Sequence, residues 1–120
     1  MASPERRRAP RVRTYRPVRL QFSGPARLLE TLTKDLSSGG LRCLSPVSVP
    51  VASDLRVELV TFGGEAPLAL AGQAVWFRTI PYSDQFEIGI AFKELPQDTT
   101  SRLSGCLQRL SKGRLTPTSV

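Results

Sequence analysis

The sequence predicts a small six-stranded antiparallel β-barrel followed by a C-terminal helix. Three observations carry this. Short runs with an apolar residue at every second position recur between residues 18 and 92. Turn residues, Gly, Pro and Ser among them, separate the runs. Beyond Pro96 the apolar spacing changes to Leu103, Leu107 and Leu110, which is i, i+4, i+7 of a helix. Closing the sheet on itself removes the free edges that short strands otherwise expose.

Residues 1–15 contain two prolines, a cluster of arginines and no apolar period, so they read as a basic, flexible, extended arm. Pro10 holds Ala9 away from helix. Without a ligand, residues 1–12 are expected to make no fixed contacts with the barrel. The barrel and helix are expected over 16–111 and a polar tail over 112–120.

Val18, Leu20 and Phe22 alternate with Arg19 and Gln21, giving a half-buried strand, and Ser23-Gly24-Pro25 turns the chain. In "ARLLETLTK", residues 26–34, the leucines would also suit a helix, but the threonines and short flanking turns favour a strand. "KDLSSGG", residues 34–40, is expected to break it, and "LRCLS" to form the next strand. Leu55, Val57 and Leu59 mark another, ended by the turn Thr61 to Glu65. "LALAGQAVWFRTI" is a longer strand in which Gly72 suggests a bulge. Phe86, Ile88, Ile90 and Phe92 alternate most cleanly of all. Asp98, Thr99 and Thr100 offer N-caps for a helix over 99–111, with Gly113 as its stop.

The chain of 120 residues suits one domain, and no apolar run approaches the ~20 residues of a membrane span. A cytoplasmic location is expected, since the basic start lacks the apolar stretch of a secretory signal. There is no histidine, which removes the commonest general base and the commonest metal ligand. Cys43 and Cys106 lie far apart without metal-ligand spacing, so both read as small packed residues rather than reactive thiols. Nothing in the sequence assembles an enzyme's constellation, and no cofactor or metal is expected.

The net charge of +7 is concentrated at one end. Residues 1–20 carry seven arginines and one acid, while the other hundred carry ten basic and nine acidic groups. Such asymmetry points to an anionic partner: nucleic acid, a phosphate ligand or a membrane surface.

Two motifs stand out. Arg7 and Arg11 form R-x-x-x-R, and Asp35, Ser37 and Gly40 form D-x-S-x-x-G. Guanine carries two acceptors, O6 and N7, on one edge, which match an arginine fork. Its N1–H and amino donors lie on another edge, where a carboxylate accepts them. An arginine and an aspartate can therefore read guanine from opposite sides, with further arginines on phosphate. Taken alone, "DLSSGG" is a turn with glycine in it, and the arm alone is a solvated tail. Trp76 reads as core or barrel wall.

In these motifs, their order, the Val75-Trp76 strand end and the Gly89 to Phe92 strand, the chain resembles the PilZ domain family, bacterial receptors for cyclic di-GMP. The resemblance spans about residues 6–111 and implies a PilZ-type barrel. It implies that Arg7 and Arg11 contact guanine and phosphate. Asp35 would accept from guanine, Ser37 bond ligand or backbone, and Gly40 permit a turn or close approach. Arg6 and Arg8 would add ligand contacts, Arg6 in an intercalated ligand dimer. The arm would order on cyclic di-GMP and the signal pass to a protein partner. The alternatives are non-specific nucleic-acid binding by the arm and a domain of the same fold without ligand binding. Only Tyr15 and Phe22 offer aromatic surface near the arm, so a stacking groove for nucleic acid is poorly supported.

Overall fold

The computed structural model describes residues 10–22 and 27–115, with side chains at 10–22 and 28–111. Arg6, Arg7, Arg8, the turn Ser23-Gly24-Pro25 and the end of the polar tail lie outside the described residues. Among the described residues, seven strands and one helix follow in order: β1 (Val12–Arg13), β2 (Pro17–Phe22), β3 (Arg27–Ser37), β4 (Gly40–Ser45), β5 (Asp54–Leu59), β6 (Leu68–Thr79), β7 (Phe86–Phe92) and α1 (Gln97–Leu115). All ladders are antiparallel. Strands β3-β2-β5-β6-β7-β4 form a ring, which the β3–β4 pair closes. This is the expected six-stranded barrel, with β1 as an extra strand on β3.

The period-2 residues point inward as their spacing demands. Val18, Leu20, Val57, Leu59, Leu70, Ile88 and Ile90 are buried in one cluster, and Leu103 of α1 packs against it. The helix begins two residues before the expected start and runs through Gly113 to Leu115. A glycine near a helix end stops it only where the chain turns left-handed, and Gly113 does not do so.

Three further differences matter for the site. Residues 34–37 do not break β3 but extend it, and only Ser38-Gly39 turn. Leu36, fully buried, is the inward residue that makes this extension worthwhile. The irregularity in β6 lies between Ala74 and Trp76, not at Gly72. A Cβ on Gly72 would come 2.9 Å from the Ile90 side chain, so that glycine serves close packing.

The described end of the arm is also fixed to the barrel, against expectation. Val12 pairs with Leu36 and Arg13 with Asp35, and Val12 is buried. Thus β1 continues the lane beside β3 that β2 fills first. At the junction the buried Thr33 hydroxyl accepts from Arg16 N at 2.9 Å and donates to Thr14 O at 2.6 Å.

Candidate functional site

The bulge between Thr33 and Asp35 resets the alternation of β3. Leu36 then faces the core, and Asp35 and Ser37 face outward. The two-residue turn Ser38-Gly39 fixes the hairpin register as Ser37↔Gly40, Leu36↔Leu41 and Asp35↔Arg42. Asp35 and Arg42 are therefore direct cross-strand partners.

Asp35 is outward-facing yet its side chain is only 5% exposed, because arginines cover it. Its Oδ1 accepts from Arg11 Nη1 at 2.8 Å. Its Oδ2 accepts from Arg42 Nε at 2.7 Å and also from Arg42 Nη2. The hydrogen bond to Asp35 raises the Arg42 pKa further, against the effect of burial. Two guanidinium groups thus share one carboxylate. Arg11, on the solvent side, is the more exposed of the two, 46% against 34%.

Ser37 is buried and turns back on the hairpin. Its hydroxyl accepts from Gly39 N at 3.2 Å and donates to Gly40 O at 3.4 Å. Gly40 has no positive φ. A Cβ there would lie 2.1 Å from the backbone oxygen of Ile90, so the glycine lets β4 approach β7.

Arg42 pairs on its other side with Gly89, and Gly89 with Trp76 of β6. A Cβ on Gly89 would collide with the indole at 2.3 Å, so Trp76 lies across this glycine on the outer face. Next to it sits Glu87, fully buried although outward-facing. Arg78 Nη2 approaches it at 2.6 Å, Lys34 Nζ at 3.2 Å and Arg42 Nη1 at 3.6 Å. Burial acts to raise its pKa, but the hydrogen bonds from Arg78 and Lys34 outweigh it and hold the carboxyl below the ordinary value. Asp35, Arg42, Glu87 and Arg78 make a continuous ionic chain across β3, β4, β7 and β6.

A groove of about 450 Å³ is lined by Pro10, Val12, Ser38, Ser104, Leu107 and Gln108 among others. It lies where arm, hairpin and helix meet. Chemically, the face combines a carboxylate acceptor with guanidinium donors, suited to a ligand carrying both N–H donors and anionic oxygens. Neither thiol belongs to it in a reactive form. Burial, then the Glu87 charge, pushes the Cys43 thiol up to about 12, and burial also raises Cys106. Among the described residues no cluster of acids or cysteines could hold a metal, and no helix is long and apolar enough to cross a membrane.

The structure thus brings Arg11, just ahead of β1, against the hairpin that carries Asp35, Ser37 and Gly40. Sequence reasoning missed Arg42, Lys34, Arg78 and Glu87. Arg42 had a signal: once Ser38-Gly39 is taken as a two-residue turn, its place opposite Asp35 follows by counting.

The PilZ domain family model matches residues 5–109. Among solved structures, the chain is similar to the PilZ domain with c-di-GMP of YcgR from Escherichia coli, at TM-score 0.70 and 15% identity, covering 94% of this chain and 99% of that one. It is similar to the MrkH–c-di-GMP complex of K. pneumonia at TM-score 0.77 and 15% identity, covering 92% and 55%. It is also similar to the Bacillus subtilis inhibitor of motility MotI/DgrA at TM-score 0.71 and 18% identity, covering 93% and 57%. The chain therefore spans little more than half of the latter two and nearly all of the first. No curated protein matches the sequence.

Proposed function

The chain belongs to the PilZ domain family, and from that premise we propose that it is a cyclic di-GMP receptor rather than an enzyme. The observation that carries the reading is the Arg11–Asp35 ion pair at 2.8 Å. It joins the second arginine of R-x-x-x-R to the acid of D-x-S-x-x-G, so both motifs serve one place. Similar solved structures of YcgR and MrkH are complexes with c-di-GMP.

In this reading guanine takes the position of Arg11 on Asp35 Oδ1, presenting its N1–H and amino donors. The released Arg11 turns to guanine O6 and N7 or to phosphate, with Arg7 beside it. Arg42 stays on Oδ2 and holds the carboxylate aimed. Arg6 and Arg8 add phosphate contacts or a second ligand molecule. Ser37 and Gly40 shape the hairpin beneath. The basic 1–15 arm orders over the ligand, the 16–111 barrel and helix supply the platform, and the rearranged arm and helix present a new surface to a protein partner.

The test is calorimetry and thermal shift with cyclic di-GMP. At free ligand ~100-fold above Kd, the domain gains about 2.7 kcal/mol. Asp35→Ala weakens binding at least about tenfold, and cyclic di-AMP, with its donor and acceptor edges inverted, binds far more weakly. A silent calorimeter at saturating cyclic di-GMP rejects the reading. It would favour a PilZ-fold interaction domain in which Arg11 and Arg42 simply neutralise Asp35. DNA binding that collapses with salt and is indifferent to Asp35→Ala would instead favour the arm as a nucleic-acid contact.

A further inference from the structure

Among the described residues, the far end of β6 has an open edge. β6 runs from Leu68 to Thr79, but β5 pairs only with residues 68–73. Ala74 still bonds to Ala52 and Ser53. Beyond it, among the described residues, β6 has a partner strand only in β7. Ile80 N donates to Gln85 O at 3.1 Å, so Ile80 faces β7. By the alternation of an antiparallel ladder, Arg78 and Trp76 face β7 too. The N–H and C=O groups of Phe77 and Thr79 then face the open edge.

The side chains of this stretch are apolar yet uncovered: Val75 is 40% exposed, Trp76 37% and Phe77 40%. Phe77 is held in place by an edge-to-face contact with Phe86 at 6.0 Å. An open edge with apolar side chains is a template for strand addition.

We propose that this edge pairs with the same edge of a second copy of the chain, antiparallel about a two-fold axis at Phe77. The argument for a second copy is self-complementarity. Centred on Phe77, the register sets Phe77 against Phe77, Val75 against Thr79 and Trp76 against Arg78. The first is an aromatic cross-strand pair. The second sets two β-branched side chains side by side. The third lays a guanidinium beside an indole on the outer face. No like charges stand directly opposite, and Phe77 exchanges both backbone hydrogen bonds with its counterpart. Glu87, already bonded to Arg78 at 2.7 Å, keeps that charge balanced. Five residues a side bury far less than the ~1,600 Å² of a standard interface, so the dimer is weak and concentration-dependent. The proposal rests on the barrel alone and is independent of any ligand.

Sedimentation of the full chain tests it. The weight-average mass rises with concentration toward that of a dimer. Phe77→Glu stays monomeric, as does Phe77→Lys, because each sets like charges across the axis. An equimolar mixture of the two restores the dimer. Hydrogen exchange on the unaltered chain reads the same contact without a variant, with the Phe77 and Thr79 amides slowing as concentration rises. A wild-type chain that remains monomeric at millimolar concentration, or edge amides indifferent to concentration, overturns the proposal. So does a mixture of folded variants that stays monomeric.

Discussion

Arg42 holds the oxygen of Asp35 that Arg11 leaves free, and it does so from the directly opposite position on the neighbouring strand. The two arginines therefore differ in kind. Arg11 directly precedes the two-residue edge strand β1, whereas Arg42 comes from inside the closed ring. Removing Arg42 leaves a nearly buried carboxylate with the half-exposed Arg11 as its partner. Arg42→Ala is expected to cost about 1–3 kcal/mol in urea unfolding. Arg42→Lys recovers only part, because an ammonium cannot reproduce the two-nitrogen contact. Unchanged unfolding in Arg42→Ala would show that Arg11 alone suffices.

Glu87 makes stability depend on acid. Its folded pKa lies below the ordinary 4.5, so its contribution is full above that value and is lost as pH falls through the folded value. Glu87→Gln removes this contribution and leaves Lys34, Arg78 and Arg42 without their shared countercharge. At pH 7 the variant is less stable by about 1–3 kcal/mol, and the gap to wild type narrows on acidification. Urea unfolding at neutral and acid pH measures both; parallel curves would refute the role.

The two adjacent glycines of the hairpin separate cleanly. Gly39 has open space where a Cβ would go, whereas Gly40 has the Ile90 carbonyl. Gly40→Ala must push β4 off β7 and is expected to cost about 1–3 kcal/mol. Gly39→Ala stays within about 0.5 kcal/mol. Thermal unfolding of the pair decides it, and equal effects would contradict the packing argument.

Cys43 and Cys106 are both buried with raised pKa values. A thiol reagent at neutral pH should label neither in the native chain and both in denaturant. Rapid native labelling would mean that the barrel wall opens.

Much of this was legible beforehand. Where one face is buried and the other wet, alternation declares itself, as in Val18-Leu20-Phe22 and Phe86 to Phe92. The two motifs were legible too, as spacing. What stayed hidden were features set by more than one strand. Residues 34–37 hide their inward Leu36 among polar neighbours, and a bulge shifts their phase. Glu87 looks like an ordinary outward strand residue, since its burial depends on Lys34, Arg42 and Arg78 arriving from three other strands. Val12 and Arg13 are too few to show a period at all.

Thr33 gives the arm a fixed stop. Its hydroxyl is bonded to Thr14 on one side and Arg16 on the other, and its own N–H donates to Arg16 O at 2.9 Å. Peeling the arm from Pro10 onward breaks the Arg11 contact and the short β1 ladder, then meets this buried clasp. Everything past it belongs to the ring. An arm that left Asp35 would therefore come away only as far as Thr14, and the barrel would be spared the disturbance.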